Sequence, residues 1–283
     1  MDKTEISPVE TKHPDKKTEI TASISQLPNT WENSSSVLCH YTSKIEYLKI
    51  ILQRKAIAPR YVSEPLDYLD LQDVNTIAFP MTCFCDIPFL KVAGHMSRYG
   101  EYGIALDKKK ILAKSLVQPV HYIHPQSPLA DDFRSAFLAA QTVDSSKDPI
   151  SKTLCDYVLS TLLYMKPAYG IAVFNGKSDS YAFQDECEWR YIPTHNFPDS
   201  LPIILPFSLN TPNGRASHSE ALTNHPETWF HFEWDDVMYL IVPNQHAANN
   251  LFTIISELGL EDGSKYSLIS KIEIADRFHE VFI

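Results

Sequence analysis

The chain reads as one α+β domain, a mixed β-sheet core with flanking helices, and three observations predict it. Of its 283 residues, 44% are apolar, enough to bury a substantial core. Short apolar, β-branched runs of strand length recur along the chain and alternate with segments of helical periodicity. No clean linker follows residue 30, so residues 31–283 belong to a single domain. Residues 1–30 are polar and without apolar periodicity, which predicts a disordered arm.

Each element has its own signal. Val37–Tyr41 is a strand, and Ser43 followed by Glu46 has the spacing of a capping box. Ile45, Leu48, Ile51 and Leu52 then share one helical face. Residues 60–76 read as a loop and Ile77–Phe84 as a strand. Asp86 and Pro88 open a helix to about Arg98. Tyr102–Leu106 is a strand, Lys108–Lys114 a short helix and Pro119–Ile123 another strand. Ser127-Pro128 and Asp148-Pro149 start helices near Leu129–Thr142 and Ile150–Met165, and Pro167 closes the second. Strands follow at Ile171–Phe174, Cys187–Ile192 and Leu201–Phe207. Residues 208–228, rich in Pro, Asn, Ser and Thr, predict a surface excursion. The end reads strand–helix–strand: DDVMYLIVP, a helix near Ala247–Leu258 stopped by Gly259, then KYSLISKIEI.

Composition narrows the function. No run of about 18 apolar residues exists to span a membrane, and the N-terminus lacks the apolar region of a secretory signal. Five cysteines, odd in number and without a CxxC pair, fit a reduced cytoplasmic compartment. A net charge of −10 argues against a large non-specific nucleic-acid surface. With eight glycines and neither GxGxxG nor GxxxxGK[ST], a Rossmann or P-loop nucleotide site is not expected. The histidine pairs lack zinc spacing, so no metal is expected, and no GxSxG elbow marks a serine hydrolase.

Three stretches carry candidate chemistry. In LCHYT, His40 ends a strand just before a helix, where it is either a half-buried strand histidine or a ligand group. In DECEWRYIP, strand alternation puts Glu186, Glu188 and Arg190 on one face and Cys187, Trp189 and Tyr191 on the other. That face is either a solvated ladder of ion pairs or a carboxylate pair suited to glycosyl transfer through an oxocarbenium ion. The stretch from Phe79 to Leu106 gathers Asp86, His95, Arg98, Tyr99 and Tyr102 around one helix, with the tyrosines placed to present a ring at a cleft edge.

The order of HYT plus helix, CFCDIPF, YGEYGIAL, ECEWRYIP and a terminal DDVMYLIVP resembles the AbiGi-type abortive-infection family of bacterial phage-resistance proteins, over roughly residues 37–283. At one remove, the same order is similar to the ADP-ribosyltransferase superfamily. That resemblance implies an ADP-ribosyltransferase-like split sheet that holds NAD, as substrate, without a glycine-rich loop. His40 would bind a ribose of NAD, with Tyr41 and Thr42 beside it, and Tyr99 or Tyr102 would stack on nicotinamide. Glu188 would stabilise the oxocarbenium as nicotinamide leaves, and Glu186 would orient the acceptor. The sequence departs from the toxin subgroup, since no Ser-Thr-Ser motif precedes the glutamates. The function implied is an effector that transfers ADP-ribose to a protein or nucleic-acid acceptor, with Lys108–Lys110 as the basic run for the latter. The alternative is a non-catalytic antitoxin or regulatory protein that binds a cognate toxin or antitoxin.

Overall fold

Strand β1 (Val37–Thr42) alternates its side chains between two cores, as its sequence requires. Leu38 packs with the apolar stripe of α1 (Ile45–Arg54), while Val37, Cys39 and Tyr41 pack on the opposite side. Leu48, Ile51 and Leu52 of α1 are buried as their spacing predicts. Burial of each is worth about 1.5–3 kcal/mol. The expected capping box at Ser43 does not form: the N-cap is Lys44, and Thr42 Oγ1 instead donates to the Lys44 carbonyl at 2.9 Å. The computed structural model describes residues 34–114, 117–144, 148–174, 176–195 and 197–278, and the arm expected over residues 1–30 lies outside them.

After α1 come β2 (Ala56–Ile57) and β3 (Arg60–Pro65), the latter within the expected loop. Ser63, Glu64 and Pro65 disguise β3, which pairs along the first half of the ten-residue β4 (Thr76–Cys85). A 3₁₀ turn at Phe89–Lys91 precedes α2 (Ala93–Tyr99), which stops at Gly100. β5 (Tyr102–Asp107) pairs with all of β1, and α3 (Lys108–Lys114) follows. The strand expected at Pro119–Ile123 is divided between β6 (Gln118–Pro119) and β7 (His121–Ile123), which join different sheets. Helices α4 (Pro128–Thr142) and α5 (Pro149–Leu163) start where predicted, Ser127 and Asp148 each accepting a first-turn amide hydrogen bond.

β8 (Met165–Pro167) pairs parallel with β7, and β9 (Gly170–Phe174) forms a hairpin with β10 (Lys177–Tyr181). β11 (Glu188–Tyr191) is shorter than expected, because Phe183–Glu186 is a 3₁₀ turn and Cys187 is left-handed (φ 44°). The expected strand at 201–207 is extended chain with one sheet-like bond, Leu205 N–H to Ala78 O, and then a 3₁₀ turn. The excursion holds α6 (Pro212–Ala221), capped by Thr211, before β12 (Phe230–His231) pairs with β2. β13 (Val237–Val242) and α7 (Gln245–Ser256), capped by Asn244, match the reading. The expected last strand is instead α8 (Asp262–Ile269) followed by the short β14 (Ile272–Ile274).

The main sheet has eight strands in the order β14-β13-β5-β1-β4-β11-β6, with β3 added on β4. Only β13–β14 is parallel among these pairs, so the sheet is mixed and the architecture α+β. Leu48 and Leu52 of α1, Leu251 and Ile255 of α7 and Leu268 of α8 share one core with Leu38, Ile104 and Leu240 of the sheet. Met96 of α2 joins Cys39, Tyr41, Ala105 and Ile241 in another. A separate core joins Phe79 and Met81 of β4 to Ala130, Leu162 and Leu163 at the inner ends of α4 and α5. β4 and β1 meet only at Cys39–Cys85, so the sheet opens between them just where His40 lies.

Candidate functional site

At that opening the place of a main-chain bond is taken by a side chain: His40 Nδ1 lies 2.8 Å from the Cys83 carbonyl oxygen. A cavity of about 370 Å³ adjoins it, walled by β1, β3, β4, α2, β8 and the turn into β11. His40, Tyr41, Tyr99, Glu186 and Glu188 all line it, together with Glu64, Cys83, His95 and Lys166. One wall is aromatic. His95 is 5.6 Å from the Tyr41 ring and 4.4 Å from the Tyr99 ring, centroid to centroid. The Tyr99 hydroxyl donates to Glu186 Oε1.

The opposite wall is a buried ion network. Lys166 Nζ lies 2.5 Å from Glu186 Oε2 and 3.0 Å from Glu188 Oε2. Arg190, fully buried, donates from Nε to Glu188 Oε1 at 2.7 Å, from Nη2 to Glu188 Oε2 at 3.2 Å and from Nη1 to the Leu163 carbonyl at 2.9 Å. It also pairs with Glu64 at 3.1 Å. The Glu188 N–H donates to the Tyr122 hydroxyl at 2.8 Å. Three carboxylates and two cations leave the network one negative charge in excess.

The local electrostatics follow from these contacts. Burial pushes the Glu188 carboxyl up, but Arg190 and Lys166 outweigh it and hold its pKa well below the carboxylate range. Burial opposes the charge on Lys166 and Arg190 too, and the carboxylates around them more than compensate, raising both. Both histidines are driven toward neutrality by burial. For His40 the bond to Cys83 works the other way, and His95 is lowered to about 4. Both Glu188 oxygens, and both of Glu186, are therefore held by internal donors.

Several readings change here. Glu186 and Glu188 do converge, through a 3₁₀ turn and a left-handed Cys187 and not through strand alternation. Arg190 is no surface ladder residue but the deepest cation of the cluster. Thr42 and Tyr102 stand outside this cavity: Thr42 spends its hydroxyl on Lys44, and Tyr102, opposite Thr42 on β5, packs against the α1 core. Lys108 is not an open basic residue, being buried against Asp86 at 2.5 Å, and Lys110 bonds the Asp235 carbonyl. Lys166 and Glu64 went unnoticed in the sequence. One sits beside Met165, which was read as a helix end, and the other in an apparent loop. Among the described residues no group of three or more His, Cys, Asp or Glu is placed to hold a metal ion.

A family model described as "Putative abortive phage resistance protein AbiGi, antitoxin" matches residues 55–242, more than half of the chain. The chain belongs to the AbiGi family. A relative, the abortive phage resistance protein AbiGi of Lactococcus lactis subsp. cremoris, is 27% identical over 248 residues, covering 80% of this chain and 99% of that protein. No solved structure matches. The AbiGi match spans β3, β4, α2, β8 and β11, and so takes in most of the cavity wall, while β1 with His40 lies before it. No described helix of this AbiGi-family chain is long and apolar enough to cross a membrane.

Proposed function

We propose that this protein serves abortive phage defence as an antitoxin, by binding a partner protein through the outer turns of α5. One observation carries the reading. Ile150, Leu154 and Tyr157, at i, i+4 and i+7 on α5, are 73%, 58% and 68% exposed. Such a stripe is ordinarily turned inward, and left outward it marks a protein contact. The family description names an antitoxin, which agrees. The saturated carboxylates agree as well, because the oxygens of Glu186 and Glu188 already accept from internal donors, and a ribose hydroxyl would have to displace one of them. The test is growth of cells expressing the cognate toxin. Co-expression of the wild-type chain should restore growth, and the I150D/L154D variant should not. Rescue by the variant as full as by the wild type would reject this surface.

A second reading keeps the chemistry. The convergence of His40, Tyr41, Tyr99, Glu186 and Glu188 on one cavity supports NAD-dependent transfer of ADP-ribose to a protein or nucleic-acid acceptor. Here Glu188 would exchange part of its Lys166 bond for a ribose hydroxyl, and the net negative charge would favour the oxocarbenium. Purified protein should then release nicotinamide from NAD, and Glu188→Gln should abolish the release. Its absence, with and without cell extract, would leave the antitoxin reading alone.

A further inference from the structure

A second cavity, of about 480 Å³, lies on the other side of His40 and Tyr41, between α1, the β2–β3 segment and α6. Its chemistry is opposite to that of the first. The chain has seven arginines, all among the described residues. Five make hydrogen bonds: Arg98 to Gly94, Arg134 to Leu69, Arg190 to Glu188, Arg215 to Asn210 and Arg277 to Gln245. The side chains of the remaining two, Arg54 and Arg60, make neither a hydrogen bond nor an ion pair with any described residue, and both line this cavity. Arg54 is held in place by stacking 4.6 Å over the Trp229 ring. Glu220 is the single carboxylate on the lining, so the cavity is cationic in a chain of net charge −10.

Beside the two guanidinium groups, one face of α1 offers an apolar shelf. Tyr47, Ile50 and Arg54 lie at i, i+3 and i+7, and Tyr47 and Ile50 are 42% and 39% exposed toward the cavity they line. Ile57 and Pro59 extend the apolar lining. Unpaired guanidinium groups suit phosphate oxygens, which they bind as paired donors, and an exposed aromatic with aliphatic neighbours suits a flat ring. The volume falls in the range of small-molecule sites, about 300–1,000 Å³.

We propose that this cavity binds a nucleotide-class organic phosphate, Arg54 and Arg60 taking the phosphate and Tyr47 with Ile50 the ring. The site does not depend on chemistry in the carboxylate cavity, since neither arginine belongs to it. Calorimetric titration of the full chain tests it with three probes: ADP, adenosine and inorganic pyrophosphate. ADP should bind saturably, and adenosine and pyrophosphate at least tenfold more weakly. Arg60→Gln, at an exposed side chain with no partner to lose, should weaken ADP at least tenfold with the melting temperature unchanged, and Arg54→Gln should act in the same direction. No saturable ADP binding, or binding indifferent to both substitutions, would overturn the proposal. Pyrophosphate bound as tightly as ADP would overturn the ring subsite. Loss of ADP binding in Glu188→Gln but not in Arg60→Gln would move the ligand to the carboxylate cavity and overturn it too.

Discussion

His95 stands between the Tyr41 and Tyr99 rings with its Nδ1 buried and unbonded, so in the charged ring, protonated at both nitrogens, the Nδ1–H would have no acceptor. Burial lowers its pKa to about 4, against about 6.5 in an unfolded chain. Between those values the unfolded state binds a proton that the native state refuses, so stability falls as pH drops from about 6.5 to about 4. The loss is on the order of 2–3 kcal/mol, with half-buried His40, whose pKa is also lowered, adding in the same direction. Glu188 acts in a separate window: its depressed pKa contributes stability above about pH 4.3, which is lost only as pH falls below that. Urea unfolding of His95→Phe, which keeps the ring stack, should therefore flatten the slope between pH 6.5 and 4 and leave the acid limb below pH 4. An unchanged slope would place the proton uptake elsewhere. At this scale the sequence was legible where residues come in motifs. His40 in HYT and the Glu186–Glu188 pair stood out, whereas Lys166 and Glu64 are single charges whose burial comes entirely from partners on distant strands.

The helix carrying His95 and Tyr99 is set against β1 by one residue. Gly100 closes α2 with φ 125°, and a Cβ there would lie 2.1 Å from the Thr42 carbonyl oxygen. Neither the backbone angle nor the backbone neighbour can give way cheaply. Gly100→Ala should cost on the order of 2–3 kcal/mol in chemical denaturation, because α2 must shift and the Tyr99–Glu186 bond shifts with it. A variant as stable as wild type would mean that the α2–β1 junction is loose. The elements themselves were readable in proportion to their local signals. α4, α5 and α7 carry an N-cap residue at the right place, with Pro at N1 in the first two. α6 carries the same signal in Thr211-Pro212, but its Asn, Gly and Ser content outweighed it, and β3 was hidden by the polar Ser63 and Glu64. For α8 the apolar spacing of KYSLISKIEI suits either strand or helix, and packing of Leu268 on the sheet decided for helix.

At the scale of the molecule, burial is uneven in a way that bears on function. The sheet and α1, α2 and α7 share continuous cores, whereas α4 and α5 pack on each other and bury only Ala130, Val158, Leu162 and Leu163. The first three turns of α5 thus contribute little to the core, and the apolar stripe there has no folding role to explain it. Alternate residues of β9 repeat the pattern, Ile171 and Val173 being 68% and 65% exposed, and Tyr169 just before the strand is 46% exposed. Replacing Ile150 and Leu154 by Asp removes no buried contact, so the change in stability should stay within about 0.5 kcal/mol per site. Partner affinity should respond in the opposite measure, since apolar anchors at the centre of an interface typically cost about 2 kcal/mol or more when lost, some thirtyfold in Kd. Sedimentation of the wild-type chain over a range of concentrations separates the two possible occupants. A monomer whose complex with the toxin is broken by I150D/L154D supports the antitoxin surface. A stable dimer that the same variant dissociates would mean that a second copy already covers the stripe, and the toxin would then have to bind elsewhere.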